Sequence, residues 1–422
     1  MTILINKSKM KNQYKIFGLF LFSGVALSAQ TTNVGDLVIL PNTQVSILDD
    51  FNNTPTGSAM NDGELFVYAN FNNDGLFSYF PTETTSLIRF VGPNVQKISG
   101  LQESDFYKVI FNNATTPSAF ELSGDINVFN TADFLKGIVN NDAFGGRFVF
   151  ENNGYHLSTS NAGHVNGLVS KKGNKSFVYP IGDGLFYRPS EISAPTALSD
   201  NFTSKYFRVN SNTLYPHKLK AGIIETIDDA EYWTLTRDNG SSYVRVTLSW
   251  NEQTTPQNLL TSPKSALHVL RWDETLGMWV DEGGIVDEAN KTVSTISDST
   301  GFGIFTLGRV KEDLVLPGNL VIYNAISFNG DEKNSFFFID GIAKYPNNSL
   351  LIFNRWGVKV YEAEGYNETD NVFNGFSNGR ITIDKQSKLP TGTYFYILNY
   401  EYTDSSKPQL IRKSGYLYIN SD

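Results

Sequence analysis

Short runs of alternating apolar and polar residues recur between residues 31 and 175, and each run ends in an Asn-, Asp- or Gly-rich corner. Two of them, NDGELFVY at 61–68 and NNDGLFSY at 72–79, are near copies. A period of two is typical of half-buried strands, and Gly or Asn turns corners at little cost because both tolerate positive φ. A sandwich and a solenoid both fit such runs, but Asn side chains repeated at corners can bond one another between stacked coils. We therefore predict a right-handed parallel β-helix over residues 30–175.

The alternation changes in the next part of the chain. Around residues 165–190, Lys171, Lys172 and Lys175 suit a coil interior poorly, and Pro180 and Pro189 interrupt strands, which indicates a cap or hinge. Further on, SYVRVTLSW at 242–250 places its apolar residues on one face of a strand, and several strands carry Trp. This pattern predicts an antiparallel β-sandwich over residues 176–310, and the charged segment RVKEDLVLPGN at 309–319 indicates a linker.

The stretch LLIFNRWGVKVYE, residues 350–362, interrupts strand alternation with Asn354-Arg355-Trp356-Gly357. It predicts a hairpin in which Gly357 supplies the backbone freedom of the turn. We expect Trp356 to cover the open end of a sandwich and Arg355 to stack on an aromatic face.

Several ordered motifs around this hairpin carry a family resemblance. They are Tyr345-Pro346-Asn347, Phe353-Asn354-Arg355-Trp356-Gly357, Val360-Tyr361, Phe373-Asn374-Gly375, Leu389-Pro390-Thr391-Gly392-Thr393-Tyr394-Phe395-Tyr396 and Gly415-Tyr416-Leu417-Tyr418-Ile419. In this order they closely resemble the gliding-motility-associated C-terminal domain, the type B sorting domain of type IX secretion, over residues 314–422.

The resemblance implies an immunoglobulin-like β-sandwich over residues 311–422 that acts as an export signal. It implies passage through the periplasm and the outer membrane to the cell surface or the medium, with the type IX translocon and its accessory proteins as partners. It further implies a set of residues for sorting and translocon recognition: Tyr345, Pro346, Asn354, Arg355, Trp356, Gly357, Tyr361, Pro390, Gly392, Tyr394, Tyr396, Gly415 and Tyr416.

One loop departs from the family. Where the family usually has Pro-Asn-Gly-Asp-Gly followed by Asn-Asp, this chain has Phe328-Asn329-Gly330-Asp331-Glu332, and Ser335 follows Asn334. We interpret Asp331, Glu332 and Asp340 as a solvated acidic edge. We predict no metal site and no cofactor.

Composition narrows the function classes. A formal net charge of −9 gives no reason to expect nucleic acid, whose backbone selects basic surfaces. The chain has no cysteine, so it has neither a disulfide framework nor a thiolate nucleophile. Residues 1–29 run from Lys-rich through apolar to small residues, which is the order of a secretory signal peptide, and the apolar run is short for a membrane-spanning helix.

The sequence offers no clear active site. None of its four histidines is paired at metal-ligand spacing: His156, His164, His217 and His268. Adjacent carboxylates on a strand point to opposite faces, so we interpret three such pairs as solvated turn residues: Asp49-Asp50, Asp228-Asp229 and Asp273-Glu274. Four tryptophans either pack in the core, their usual fate, or form a carbohydrate-stacking platform: Trp233, Trp250, Trp272 and Trp279.

We therefore predict a secreted, all-β, non-enzymatic protein with a role in surface adhesion or as an accessory of the gliding machinery. Two alternatives stay open. One is a secreted polysaccharide-active β-helix enzyme, which a groove with converging carboxylates would favour. The other is an assembly subunit for another secreted adhesin, and a surface polysaccharide is a further candidate partner.

Overall fold

The computed structural model describes residues 30–221, 223–299, 301–311, 315–327, 335–379, 388–404 and 407–421. The predicted signal peptide at residues 1–29 lies outside the described residues, as do Asp331 and Glu332 of the predicted acidic edge. Within the ranges described, no helix is both long and apolar enough to cross a membrane.

A parallel β-solenoid of about six turns forms the first part of the described chain. Its strands are β1 (Gln30–Asn33), β2 (Asp36–Ile39), β3 (Gln44–Ile47), β4 (Asp50–Asn53), β5 (Ser58–Asn61), β6 (Glu64–Val67), β7 (Phe71–Asn73), β8 (Leu76–Ser78), β9 (Leu87–Phe90), β10 (Gln96–Ser99), β11 (Ser104–Asn112), β12 (Phe120–Leu122), β13 (Ile126–Lys136), β14 (Val139–Asn140), β15 (Phe148–Phe150), β16 (Tyr155–Leu157), β17 (Val165–Asn166) and β18 (Val169–Lys172).

These strands form three stacks around one interior. The first stack runs β1, β4, β7, β10, β12, β14 and β17, and the second begins with β2, β5 and β8. The third begins with β3, β6 and β9. The long strand β11 joins the last two stacks, since Ser104 pairs with β8 and residues 108–111 pair with β9. The predicted parallel solenoid is confirmed.

Asparagines at one corner form the predicted ladder. Asn33 Nδ2 donates to Asn53 Oδ1 over 2.8 Å, and Asn53 Nδ2 donates to Asn73 Oδ1 over 2.7 Å. Asn53 and Asn73 are fully buried. Buried amides need hydrogen-bond partners, and each asparagine finds its partner 20 residues along the chain. These bonds therefore help to fix the register of the first three coils.

Phenylalanine rings fill the solenoid interior. Phe90, Phe111 and Phe134 are fully buried in successive coils. The ring centroids of Phe90 and Phe111 are 5.7 Å apart, and those of Phe111 and Phe134 are 5.3 Å apart, with nearly parallel planes. Such pairs add about 0.5–1.5 kcal/mol each to the stabilisation from burial.

Lys171 is buried in the solenoid, contrary to the sequence prediction. It lies in β18 opposite Phe150 of β15 and is 1% exposed. Its Nζ donates to the carbonyl oxygens of Glu151, Asn152 and Gly154 over 2.6, 2.8 and 3.0 Å. Burial lowers the pKa of the ammonium group to about 8. The view that Lys171 is unsuited to a coil interior is wrong, because the carbonyls of a turn satisfy its three donors.

The middle block continues the solenoid through an antiparallel pair between β18 and β23. Its strands are β19 (Phe177–Val178), β20 (Ile181–Asp183), β21 (Phe186–Tyr187), β22 (Ser190–Ile192), β23 (Asn201–Phe207), β24 (Ile224–Ile227), β25 (Tyr232–Asn239), β26 (Val246–Ser249), β27 (Leu267–Asp273), β28 (Met278–Asp281), β29 (Ile285–Asp287), β30 (Thr292–Ser294) and β31 (Gly303–Val310). Two short 3₁₀ helices, Ser211–Thr213 and Lys264–Ala266, lie between strands.

Tryptophans lie inside this block. Trp233, Trp250, Trp272 and Trp279 are 1, 5, 7 and 0% exposed. The carbohydrate-stacking platform is therefore wrong, and core packing is confirmed. Trp233 packs in the same hydrophobic cluster as the solenoid interior, whereas Trp279 packs in the cluster of the C-terminal block. The middle block therefore shares a core with each of its neighbours.

The C-terminal block contains two antiparallel-rich sheets that fit a β-sandwich. Its strands are β32 (Val315–Leu316), β33 (Leu320–Ile322), β34 (Ala325–Ser327), β35 (Ile339–Asp340), β36 (Asn348–Phe353), β37 (Lys359–Glu364), β38 (Gly392–Asp404) and β39 (Lys407–Asn420), with a 3₁₀ helix at Ile342–Lys344. The larger sheet has the order β34-β39-β38-β36-β37. The predicted all-β class is confirmed.

Candidate functional site

The turn between β36 and β37 is organised by Asn354. Its Oδ1 accepts hydrogen bonds from the backbone N–H groups of Trp356 and Val358, both over 3.0 Å. Gly357 has a φ of 75°, a value that residues with a Cβ rarely adopt. The predicted role of Gly357 is confirmed, whereas the anchoring role of the Asn354 side chain was not predicted.

Arg355 and Trp356 stand on the surface of this turn. The Trp356 side chain is 63% exposed, and Cζ of Arg355 lies 4.2 Å from the centroid of its ring. The expected stacking of Arg355 is confirmed. The expectation that Trp356 covers the open end of the sandwich is wrong, since its indole stacks with Arg355 and most of its surface is exposed to solvent.

Three motif tyrosines lie inside the sandwich instead. Tyr361, Tyr394 and Tyr396 are 9, 7 and 1% exposed. Tyr396 packs 5.0 Å from the ring of Phe337, and the hydroxyl of Tyr394 donates to the Pro390 carbonyl over 3.0 Å. Burial raises the pKa of Tyr396 above its ordinary value. These side chains belong to the buried core of the C-terminal block.

Two further motif positions have packing explanations. The hydroxyl of Tyr345 donates to the carbonyl of Gly318 over 3.2 Å, and its ring packs 5.4 Å from Tyr400. At Gly415 a Cβ would lie 2.6 Å from Oη of Tyr396, so the close approach of this buried ring requires glycine. Gly392 is half-buried at the start of β38. The candidates left exposed are Pro346, Arg355, Trp356, Pro390 and Tyr416.

The outer face of the larger sheet contacts the middle block. Ser414 Oγ of β39 donates to Asp281 Oδ2 over 2.9 Å, and both residues are buried. Arg412 lies 3.7 Å from Glu282. No sequence motif indicates these contacts, because Asp281 and Ser414 are 133 residues apart.

Asp281 is the centre of this contact. It lies 2.8 Å from Nδ1 of His268 and accepts a hydrogen bond from the backbone N–H of Gly283. Burial alone would raise the pKa of Asp281, but His268 and the hydrogen bonds hold it below its ordinary value. The order is His–Asp–Ser, whereas a nucleophilic triad needs the histidine between serine and carboxylate. The hydrogen bond between Ser414 and Asp281 is thus a buried structural contact between the C-terminal block and the middle block.

Apolar side chains complete the contact. Phe353 and Ile397 of the sheet form one buried cluster with Ile296 of the middle block. A Cβ at Gly357 would lie 2.9 Å from Nη1 of Arg245, so the exposed turn rests directly against the middle block. The middle block therefore helps to fix the position of Arg355 and Trp356.

Other candidate groups also have structural partners. Oδ1 of Asp228 accepts hydrogen bonds from the backbone of Ala230 and Glu231, and burial, with the nearby Glu231 carboxylate, raises the pKa of Asp228. Because Asp228 is fully buried, its interpretation as a solvated turn residue is wrong. Nε2 of His156 lies 2.7 Å from the carbonyl oxygen of Val178. Across the described part of the chain, no three His, Cys, Asp or Glu residues are grouped so that they can hold a metal ion.

Comparison with known families settles the nature of the C-terminal block. Residues 320–419 match the CHU_C type IX secretion signal domain. This match covers the sandwich from β33 almost to the end of β39. No curated protein and no solved structure matches the chain significantly. The signal domain marks the chain as a type IX secretion substrate, which is exported through the outer membrane to the cell surface or the extracellular space. We call residues 30–311 the passenger.

Proposed function

We propose that the passenger is a non-enzymatic surface protein that serves adhesion, or the gliding machinery as an accessory, after type IX export. The signal domain is the observation that carries the proposal, since it delivers a folded β-solenoid to the cell exterior. The arrangement of His268, Asp281 and Ser414 supports a non-enzymatic role. His268 and Ser414 both bind Asp281, so the histidine does not lie between serine and carboxylate as a nucleophilic triad requires.

We also propose which motif residues contact the secretion machinery. A translocon that binds the folded signal domain meets Arg355 and Trp356, with Pro346, Pro390 and Tyr416 as further exposed positions. The buried tyrosines then contribute by maintaining the shape of the domain. Tryptophan and arginine are the side chains that most often dominate recognition surfaces.

The test compares cells that lack the chain with cells complemented by the full chain or by a chain ending at Arg309. Attachment to a solid surface and gliding speed are measured, and surface protein is quantified by whole-cell labelling. We expect the full chain to restore attachment or gliding and the truncated chain to remain in the periplasm without restoring either. Unchanged attachment and gliding in cells that lack the chain would refute the proposed role.

A further inference from the structure

We propose that one side of the solenoid binds a neutral polysaccharide chain that runs along the solenoid axis. The proposal rests on the proposed adhesion function and names its ligand class. The residues concerned lie in successive coils, and we call them the ring-and-carboxylate face: Tyr79, Glu103, Asp105, Tyr107, Asp125, Asn127, Phe129 and Arg147.

A groove of about 660 Å³ forms one margin of this face. It crosses five successive coils, from Pro55 in the second to Arg147 in the sixth. Coils repeat every ~4.8 Å, so the groove is ~20 Å long, which suits an extended polymer better than a small molecule. Leu76 and Leu101 on its walls are 53 and 85% exposed, and they offer apolar surface to a ligand.

Carboxylates beside the groove are held in fixed orientations. Nδ2 of Asn127 donates to Glu103 Oε2 and to Asp105 Oδ1, both over 2.9 Å. Nε of Arg147 donates to Asp125 over 2.8 Å, and its Nη2 donates to Glu103 over 2.9 Å. A carboxylate accepts about four hydrogen bonds, so these groups keep acceptor capacity for the hydroxyl groups of a ligand.

Aromatic rings flank the carboxylates on the side away from the groove. Tyr107 is two residues beyond Asp105, and Phe129 two beyond Asn127, so each ring shares the outward face of its strand with the polar residue. The ring of Tyr79 lies 5.3 Å from Tyr107 and 5.5 Å from Phe129, and all three are half-buried. Within the described residues, the Tyr79 hydroxyl has no hydrogen-bond partner from the protein.

This combination fits a sugar polymer. Sugar rings present C–H faces that pack on aromatic rings and hydroxyl groups that donate to carboxylates, and the coil spacing is close to the length of one pyranose unit. The three carboxylates of Glu103, Asp105 and Asp125 outnumber two cations, those of Arg147 and of Lys108, whose Nζ lies 5.4 Å from the centroid of the Tyr107 ring. This balance disfavours an anionic polysaccharide. A peptide cannot add here as a strand, because β11 and β13 are already paired on both sides.

The test uses the full chain without residues 1–29 and affinity electrophoresis in gels that contain hydroxyethyl cellulose, galactomannan, xyloglucan or starch. We expect at least one polymer to retard the wild-type protein. Tyr107→Ala and Phe129→Ala each remove one ring and should weaken binding two- to tenfold. Tyr243→Ala is the matched control, since Tyr243 is 51% exposed and lies in the middle block rather than in the solenoid. Thermal unfolding of each variant checks that it folds.

Failure to bind any of the four polymers would overturn the proposal, as would an equal loss of binding in the Tyr243→Ala control. Target cell surfaces treated with periodate or with protease provide the second measurement: loss of binding after periodate supports the sugar ligand, and loss only after protease overturns it in favour of a protein. The proposed adhesion role is judged separately. If cells with the exported Tyr107→Ala and Phe129→Ala chain attach as well as the wild type, this face fails while adhesion stands.

Discussion

The solenoid and the signal domain both depend on repeated polar and aromatic residues, but the two regions place them differently. In the solenoid the repeated Asn33, Asn53 and Asn73 bond one another across neighbouring coils, over only 20 residues of sequence. In the signal domain β34 pairs with β39, so Ala325 meets Tyr418 from the far end of the block. A sequence repeat in the solenoid therefore indicates a contact between neighbouring coils. An ordered motif in the signal domain instead indicates packing between residues far apart in the sequence.

The comparison also separates folding residues from recognition residues. The amides and rings repeated in the solenoid are mostly buried, and so are three of the tyrosines in the signal-domain motifs. Trp356 and Tyr416 differ, at 63 and 50% exposed. A motif residue is thus a good candidate for partner contact only when the fold leaves it on the surface.

The largest expected effect comes from the aromatic column of the solenoid. Phe111→Ala removes a fully buried ring that stacks on Phe90 and Phe134, and it should lower the free energy of unfolding by about 3–5 kcal/mol. Chemical denaturation measures this loss. Phe80→Ala is the control, since Phe80 is 46% exposed, and it should cost under about 1 kcal/mol. Equal losses in the two variants would show that the column is not the core.

A smaller loss is expected from the asparagine ladder. Asn53→Ala leaves the amide of Asn33 and the carbonyl of Leu76 without their partner and should cost about 2–3 kcal/mol. Asn153→Ala, at an exposed corner of the same solenoid, is the matched control and should change little. Urea denaturation compares the two. A loss below about 0.5 kcal/mol for Asn53→Ala would contradict the view that the ladder fixes coil register.

The contact between passenger and signal domain should weaken in acid, because the buried carboxylate of Asp281 is at its centre. The pKa of Asp281 is lower in the folded protein than in the unfolded chain, so its stabilising contribution is complete above about pH 4 and is lost as pH falls through the folded pKa. Asp281→Asn should be less stable than the wild type at pH 7 and should lose less stability on acidification. Thermal unfolding between pH 2.5 and 7 measures both curves, and parallel curves would contradict the assignment.

The sequence reveals those features whose physical cause is local. The solenoid and its Asn ladder follow from a visible period, and the Gly357 turn follows from backbone freedom. Burial of Lys171 is not visible, because the carbonyls that satisfy its ammonium group belong to the preceding coil. The bond between Asp281 and Ser414 is equally hidden, since no pattern connects residues 133 positions apart. Exposure of Trp356 also depends on tertiary structure, and composition alone favours burial of such a residue.

Substitutions at the Arg355–Trp356 turn should have the smallest effect on the stability of the fold. They should have the largest effect on whether the chain reaches the cell exterior. Replacing both residues with Ala removes an exposed stacking contact worth about 0.5–1 kcal/mol, so the domain should stay folded. Tyr323→Ala is the control, because Tyr323 is 47% exposed in the same domain and lies outside the motifs.

The most direct measurement is therefore the fraction of full-length chain that reaches the cell exterior when Arg355→Ala and Trp356→Ala are combined. Surface labelling and periplasmic fractionation give this fraction beside the wild type and the Tyr323→Ala control. The account predicts that the double variant accumulates as folded protein in the periplasm while the control is exported normally. Export of the double variant at the wild-type level would contradict the claim that the exposed turn is the surface that the secretion machinery recognises.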